Sequence, residues 1–191
     1  MPEVKTPFTG DPAADALLTE NPFALLLGML LDQQVTMEFA FKAPSMLVER
    51  LGGPLQPATL ADLGQDKVEA LFRDKPALHR YPGSMGKRAY ALSAFLVEHY
   101  DGKAENLWAG VGTGDELLER LLALPGFGAE KARIFVGVLG KRMGVQPKGW
   151  ETVAADWPSI ADVSSYERLV EVRDAKRAMK AAKKAAKPAK A

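Results

Sequence analysis

The sequence contains no cysteine. That excludes disulfides, thiolate zinc sites and cysteine-ligated iron–sulfur clusters. Histidine is nearly as scarce: His79 and His99 are the two in the chain, too few to build a metal site alone. No run of about 18 uninterrupted apolar residues occurs, so no transmembrane helix and no membrane association are expected. The opening MPEVKTPFTGDP lacks the basic-then-apolar pattern of a secretory signal. No segment alternates apolar and polar residues as a half-buried strand does. Nucleotide-binding loops and hydrolase triads also have no counterpart here. These absences lead to the expectation of a cytoplasmic, monomeric, all-α protein.

What is present is apolar and helical. An apolar fraction of 47% over 191 residues suits one sizeable domain, or two small lobes sharing a core. Asn21 followed by Pro22 predicts the start of a helix whose run Phe23 to Leu31 is apolar all round, hence a buried core helix. A second helix is expected over Thr36 to Leu51, turning Phe39, Met46, Leu47 and Leu51 inward, until Gly52-Gly53-Pro54 ends it. Thr59 is expected to cap the next, with Leu60, Leu63, Val68, Leu71 and Phe72 as its apolar face. Tyr81-Pro82-Gly83-Ser84 reads as a turn before a helix over about Met85 to Tyr100. Thr113 and Glu116 have the spacing of a capping box, and Ser164-Ser165 precedes a last helix that runs into Ala/Lys repeats.

Charge is divided unevenly. Residues 170–191 carry eight Lys/Arg against Glu171 and Asp174, or +6 in a chain of net charge +1, which leaves −5 for residues 1–169. The expected organisation is a helical domain over 1–169 and a basic, partly helical or disordered tail over 170–191. A basic tail on an acidic body suits a polyanionic partner, nucleic acid being the simplest.

The most informative segment is LLERLLALPGFGAEKARIFVGVLG, in which two apolar helices, within about 114–143, flank a Gly-rich connection. Gly126 and Gly128 permit backbone angles that other residues resist, and Pro125 holds the residue before it out of helix. A turn this bare lets a phosphate approach the amides of Phe127, Gly128 and Ala129 at a helix N-terminus, with Lys131 within reach. Such a contact grips backbone without reading sequence.

Leu124-Pro125-Gly126-Phe127-Gly128-Ala129-Glu130-Lys131-Ala132 resembles the helix-hairpin-helix of the HhH-GPD superfamily of DNA glycosylases, which includes endonuclease III and 3-methyladenine glycosylase relatives. Leu30-Leu31-Asp32-Gln33-Gln34-Val35 is similar to its early LxxQQ signature. The stretch from Tyr81 to Ala89, with Lys87, is similar to its YxxKA element. The resemblance covers roughly residues 20–150 and is narrower still to a small actinobacterial-type branch. It implies a two-lobed helical fold and base excision on double-stranded DNA, in which the target base is flipped out of the stack. It implies that Gln34, beside Gln33, fills the gap in the duplex. It also allows a monovalent cation on the hairpin carbonyls, with no other cofactor.

The same resemblance bears on chemistry. Bifunctional members place a nucleophilic lysine where this chain has Glu130; Lys131 stands one residue on, about 100° around the helix. A Schiff-base lyase is therefore not expected. The family's aspartate position holds Gln146, a neutral amide. Two readings stay open: a monofunctional glycosylase with a displaced carboxylate, Glu151 first and Asp156 or Asp32 after it, or a catalytically silent DNA reader. Trp150 is the expected wall of the base pocket, with Trp157 near it.

Overall fold

A computed structural model describes residues 3–186. It holds ten α-helices and two short 3₁₀ turns, with no strand beyond an isolated bridge between Thr113 and Lys148 among the described residues. The helices are α1 (Pro12–Glu20), α2 (Pro22–Leu31), α3 (Met37–Leu51), α4 (Pro57–Leu63), α5 (Gln65–Arg73), α6 (Pro82–His99), α7 (Gly114–Leu122), α8 (Ala129–Arg142), α9 (Trp150–Val153) and α10 (Tyr166–Ala185).

Helix α2 is the axis of the molecule. The Asn21 side chain accepts from the amides of Phe23 and Ala24, both at 3.0 Å, and Pro22 needs no acceptor in the first turn. Every residue from Phe23 to Leu31 is buried, as an all-apolar helix requires. Gly28 makes this possible, because a Cβ there would stand 2.5 Å from the Phe41 ring of α3. Around α2 lie α1 and α3 on one side, α6 with α4 and α5 on another, and α8 with α7 and α9 on a third.

Several local expectations shift. Phe41 is the deeply buried aromatic of α3, while Phe39 is only half-buried. Thr59 lies inside α4, whose first helical residue is Pro57, and Gly64 at φ +83° separates α4 from α5. Helix α6 starts at Pro82, three residues before Met85, because proline fits the first helical position. Thr113 does cap α7, accepting from Glu116 at 3.2 Å, but the Glu116 carboxylate takes the amide of Gly112.

The basic segment begins within the fold. Ser165 caps α10, which continues without a break past residue 170 and buries Leu169 and Val172. Arg173 reaches Glu38 of α3 at 2.9 Å. The expected tail residues Lys187 and Lys190 lie outside the described residues. No single helix among the described residues is long and apolar enough to cross a membrane; α1 and α2 pass together by length and composition only, bent by 113°.

Candidate functional site

The hairpin is α7, the connection from Ala123 to Gly128, and α8. Gly126 adopts φ +84°, a left-handed conformation that glycine accepts without cost, and a Cβ there would also stand 2.6 Å from Leu30 of α2. The turn is therefore pressed onto the last turn of α2. No side chain caps the N-terminus of α8, and the amide of Ala132 is bonded to the Gly128 carbonyl at 2.9 Å. Gly128, Ala129 and Glu130 are exposed, and an added Cβ on Gly128 would meet nothing within 4 Å. This end presents the donors and dipole that favour an anion. The Phe127 amide is not one of them: it donates to Leu124 O at 3.1 Å, and its ring is buried against Phe135.

Lys131 points elsewhere than toward solvent. Its Nζ donates to the Leu30 carbonyl at 2.5 Å and lies 5.8 Å from the Phe127 ring centre. Desolvation lowers its pKa to about 8, only partly offset by the charge of Asp32. It therefore braces the hairpin against α2 instead of reaching out to a phosphate.

Opposite the hairpin lies the loop after α2. Gln33 is tied down there: its amide nitrogen donates to Leu30 O at 3.3 Å and contacts Met85 Sδ at 3.2 Å, while Arg88 donates to its Oε1 at 3.2 Å. Gln34 is exposed and sits at φ +57°, a strained choice for a residue with a side chain. His79, which the motifs pass over, holds this loop in place. Its Nδ1 accepts from the Tyr81 amide at 3.0 Å, so Nε2 carries the proton and donates to the carbonyls of Leu31 and Gln33, each at 3.1 Å. Burial keeps this imidazole neutral by pushing its pKa down.

Between the two lips opens a cleft of about 490 Å³, within the range typical of small-molecule sites. Asp32, Gln33, Gly128 and Lys131 line it, and Trp157 and Lys176 form its far wall. Two carboxylates line this cleft: Glu130 is exposed, whereas the Asp32 side chain is 8% exposed and 3.8 Å from Lys176 of α10. Desolvation raises the Asp32 pKa, against the lowering influence of Lys176 and Lys131. Trp157 stacks under Arg133, whose guanidinium lies 4.9 Å from the ring centre.

Other expected site residues fall outside the cleft. Trp150 is buried under α8, its ring filling the space left by Gly140, where a Cβ would stand 2.3 Å from it. Its backbone lies against Gly114, where a Cβ would stand 2.7 Å from the Trp150 Cα. It is a core residue, and Trp157 is the aromatic wall. Glu151 is exposed on α9, Lys87 is exposed on α6, and neither lines the cleft. Arg88, the next residue after Lys87, faces the Gln33–Gln34 loop. Gln146 donates from Nε2 to Gly140 O at 3.0 Å and so ends α8. Asp156 is exposed, 3.8 Å from Arg133. Gly126 lines the cleft and Pro125 stands half-buried behind it.

Compared with protein-family models, curated proteins and solved structures, the chain matches none of them.

Proposed function

We propose that the protein grips double-stranded DNA by its hairpin, flips a damaged or mispaired base into the cleft and hydrolyses its N-glycosidic bond. The observation that carries this reading is a juxtaposition. The uncapped first turn of α8 lines one side of the cleft, and Asp32 and Gln33 line the other. The strained, exposed Gln34 lines an adjoining groove that shares Asp32, Gln33 and Glu130 with the cleft. A phosphate suits the α8 turn, because free amides at a helix N-terminus are anion donors. A gap in a base stack suits Gln34, because glutamine pairs a slim stem with both donors and acceptors. An extruded base would lie along Trp157, since bases stack on flat side chains.

In this reading the enzyme is monofunctional. Lys131 has the depressed pKa of an amine nucleophile, but its Nζ is committed to the Leu30 carbonyl. Borohydride should therefore trap no protein–DNA adduct on an abasic duplex at pH 8. A second reading, a silent lesion reader, is favoured by Gln146, whose amide is spent on the helix end at the place where the resemblance calls for a carboxylate.

One assay separates the two. Duplexes carrying uracil, alkylated purine, hypoxanthine or oxidised guanine are incubated with the protein, and abasic sites are then cut with alkali. Strand breaks on any of them support the glycosylase. Salt-sensitive binding with no breaks on the whole panel supports the silent reader.

A further inference from the structure

We infer that Asp32 is the anion that faces the reacting sugar, and that Lys176 of α10 holds its place as counter-ion until DNA is bound. The inference rests on the glycosylase reading and adds to it the residue that meets the developing charge.

Three observations lead there. The first is position: Asp32 lies directly after the buried α2, in the same loop as Gln34, and lines the cleft. A side chain that entered the duplex at Gln34 would bring the extruded nucleotide to this loop. The second is that Asp32 is buried with little to hold it. Lys176 at 3.8 Å is its ion pair, longer than a hydrogen bond, while Lys131 acts on it through space and Glu38 repels it. A buried carboxylate normally collects close donors; this one has a single long ion pair and borders the cleft, so a cation there would meet an acceptor not yet bonded. Its raised proton affinity has the same cause. The third is that its partner arrives on a separate element. Lys176 is on α10, which meets the body through Leu169, Val172 and the Arg173–Glu38 pair. Phosphates on the same face would compete for Lys176 and Lys180, both of which line the groove beside Gln34.

The chemistry balances without a cofactor. The C1′–N bond breaks with its electron pair leaving on the base, and an O4′ lone pair completes the oxocarbenium ion. Asp32 stabilises that cation across the cleft. Water then adds at C1′ and gives a proton, through Asp32, to the departed base. Water and nucleoside go in; free base and an abasic hemiacetal come out.

The test uses the full chain and three duplexes. One is undamaged, one carries a neutral tetrahydrofuran abasic site, and one carries a pyrrolidine abasic site, protonated at neutral pH and so a mimic of the cationic sugar. The wild type is expected to prefer the pyrrolidine duplex over the tetrahydrofuran duplex by about tenfold or more, with Asp32→Asn losing that preference and Lys176→Ala enlarging it. Asp32→Asn is nearly isosteric, and its tetrahydrofuran affinity reports that it is folded. A preference that survives Asp32→Asn would overturn the assignment while leaving the glycosylase reading in place. So would a wild type that prefers both abasic duplexes equally over the undamaged one. Equal binding to all three duplexes would remove the reading and the assignment together.

Discussion

Two of the candidate carboxylates stand near opposite ends of helix α8, and the two live in opposite surroundings. Near its N-terminus Asp32 is buried, faces a cleft and raises its own proton affinity. Beyond its C-terminus Glu151 stands in solvent on the short helix α9, beside a tryptophan that serves as packing. The same contrast holds for the two tryptophans. The chain from 150 to 157 doubles back along α8, as the Ala155 amide on Arg133 O at 3.0 Å shows. Its first residue plugs a glycine gap and its last lines the cleft. Proximity in sequence to a motif therefore does not decide which residues share the cleft, whereas burial beside open volume marks the candidates for function.

The contrast can be broken or sharpened by substitution. The largest effect expected is on base release: Asp32→Asn should lower the single-turnover rate by about 10²–10³-fold, the loss typical of one preorganised electrostatic group. Glu151→Gln should change it less than about twofold, within the range of a surface substitution far from the chemistry. Equal losses in both would erase the difference between the two ends of α8.

The tryptophans should divide in the opposite sense. Trp150→Ala removes a buried ring and should cost about 3–5 kcal/mol in urea unfolding. Trp157→Ala should cost far less and instead weaken binding to a duplex with an extrudable base by about 1–3 kcal/mol, the value of one stacking contact.

A smaller effect concerns stability and pH. Because the folded state raises the Asp32 pKa, it binds that proton more tightly than the unfolded chain does. The stabilising share of the protonated group is complete below its ordinary value of 3.8 and is lost as pH rises through the raised value. At neutral pH, Asp32→Asn should therefore melt higher than the wild type by differential scanning calorimetry. A lower midpoint would mean that the ion pair with Lys176 outweighs desolvation. The smallest effect belongs to α10: Lys180→Ala should reduce the slope of log K against log salt by about one unit, read by fluorescence anisotropy.

Much of the fold was legible in local chemistry. Asn21-Pro22 marks the start of α2, Thr113 that of α7 and Ser165 that of α10, because caps are decided within four residues. The hairpin was legible for the same reason. What could not be read was direction. Lys131 turns inward because a carbonyl 101 residues away, at Leu30, stands open to it. Trp150 is buried because Gly140 of α8 leaves room for its ring and Gly114 of α7 lets its backbone approach. Asp32 gains its surroundings only when α8 and α10 close around the end of α2. Of Glu151, Asp156 and Asp32, the fold thus brings Asp32 alone to the cleft, for reasons no local window contains.

The end of α2 has one further consequence. A helix leaves its last carbonyls without intrahelical partners. Here Leu30 O receives Lys131 from the hairpin side and Leu31 O receives His79 from the opposite side. Two neighbouring peptide groups thus fix the separation of the two lips, in the way a hinge pin fixes the gauge of a caliper. On the proposed reading, that pin would set the width of duplex the lips admit before any base is touched.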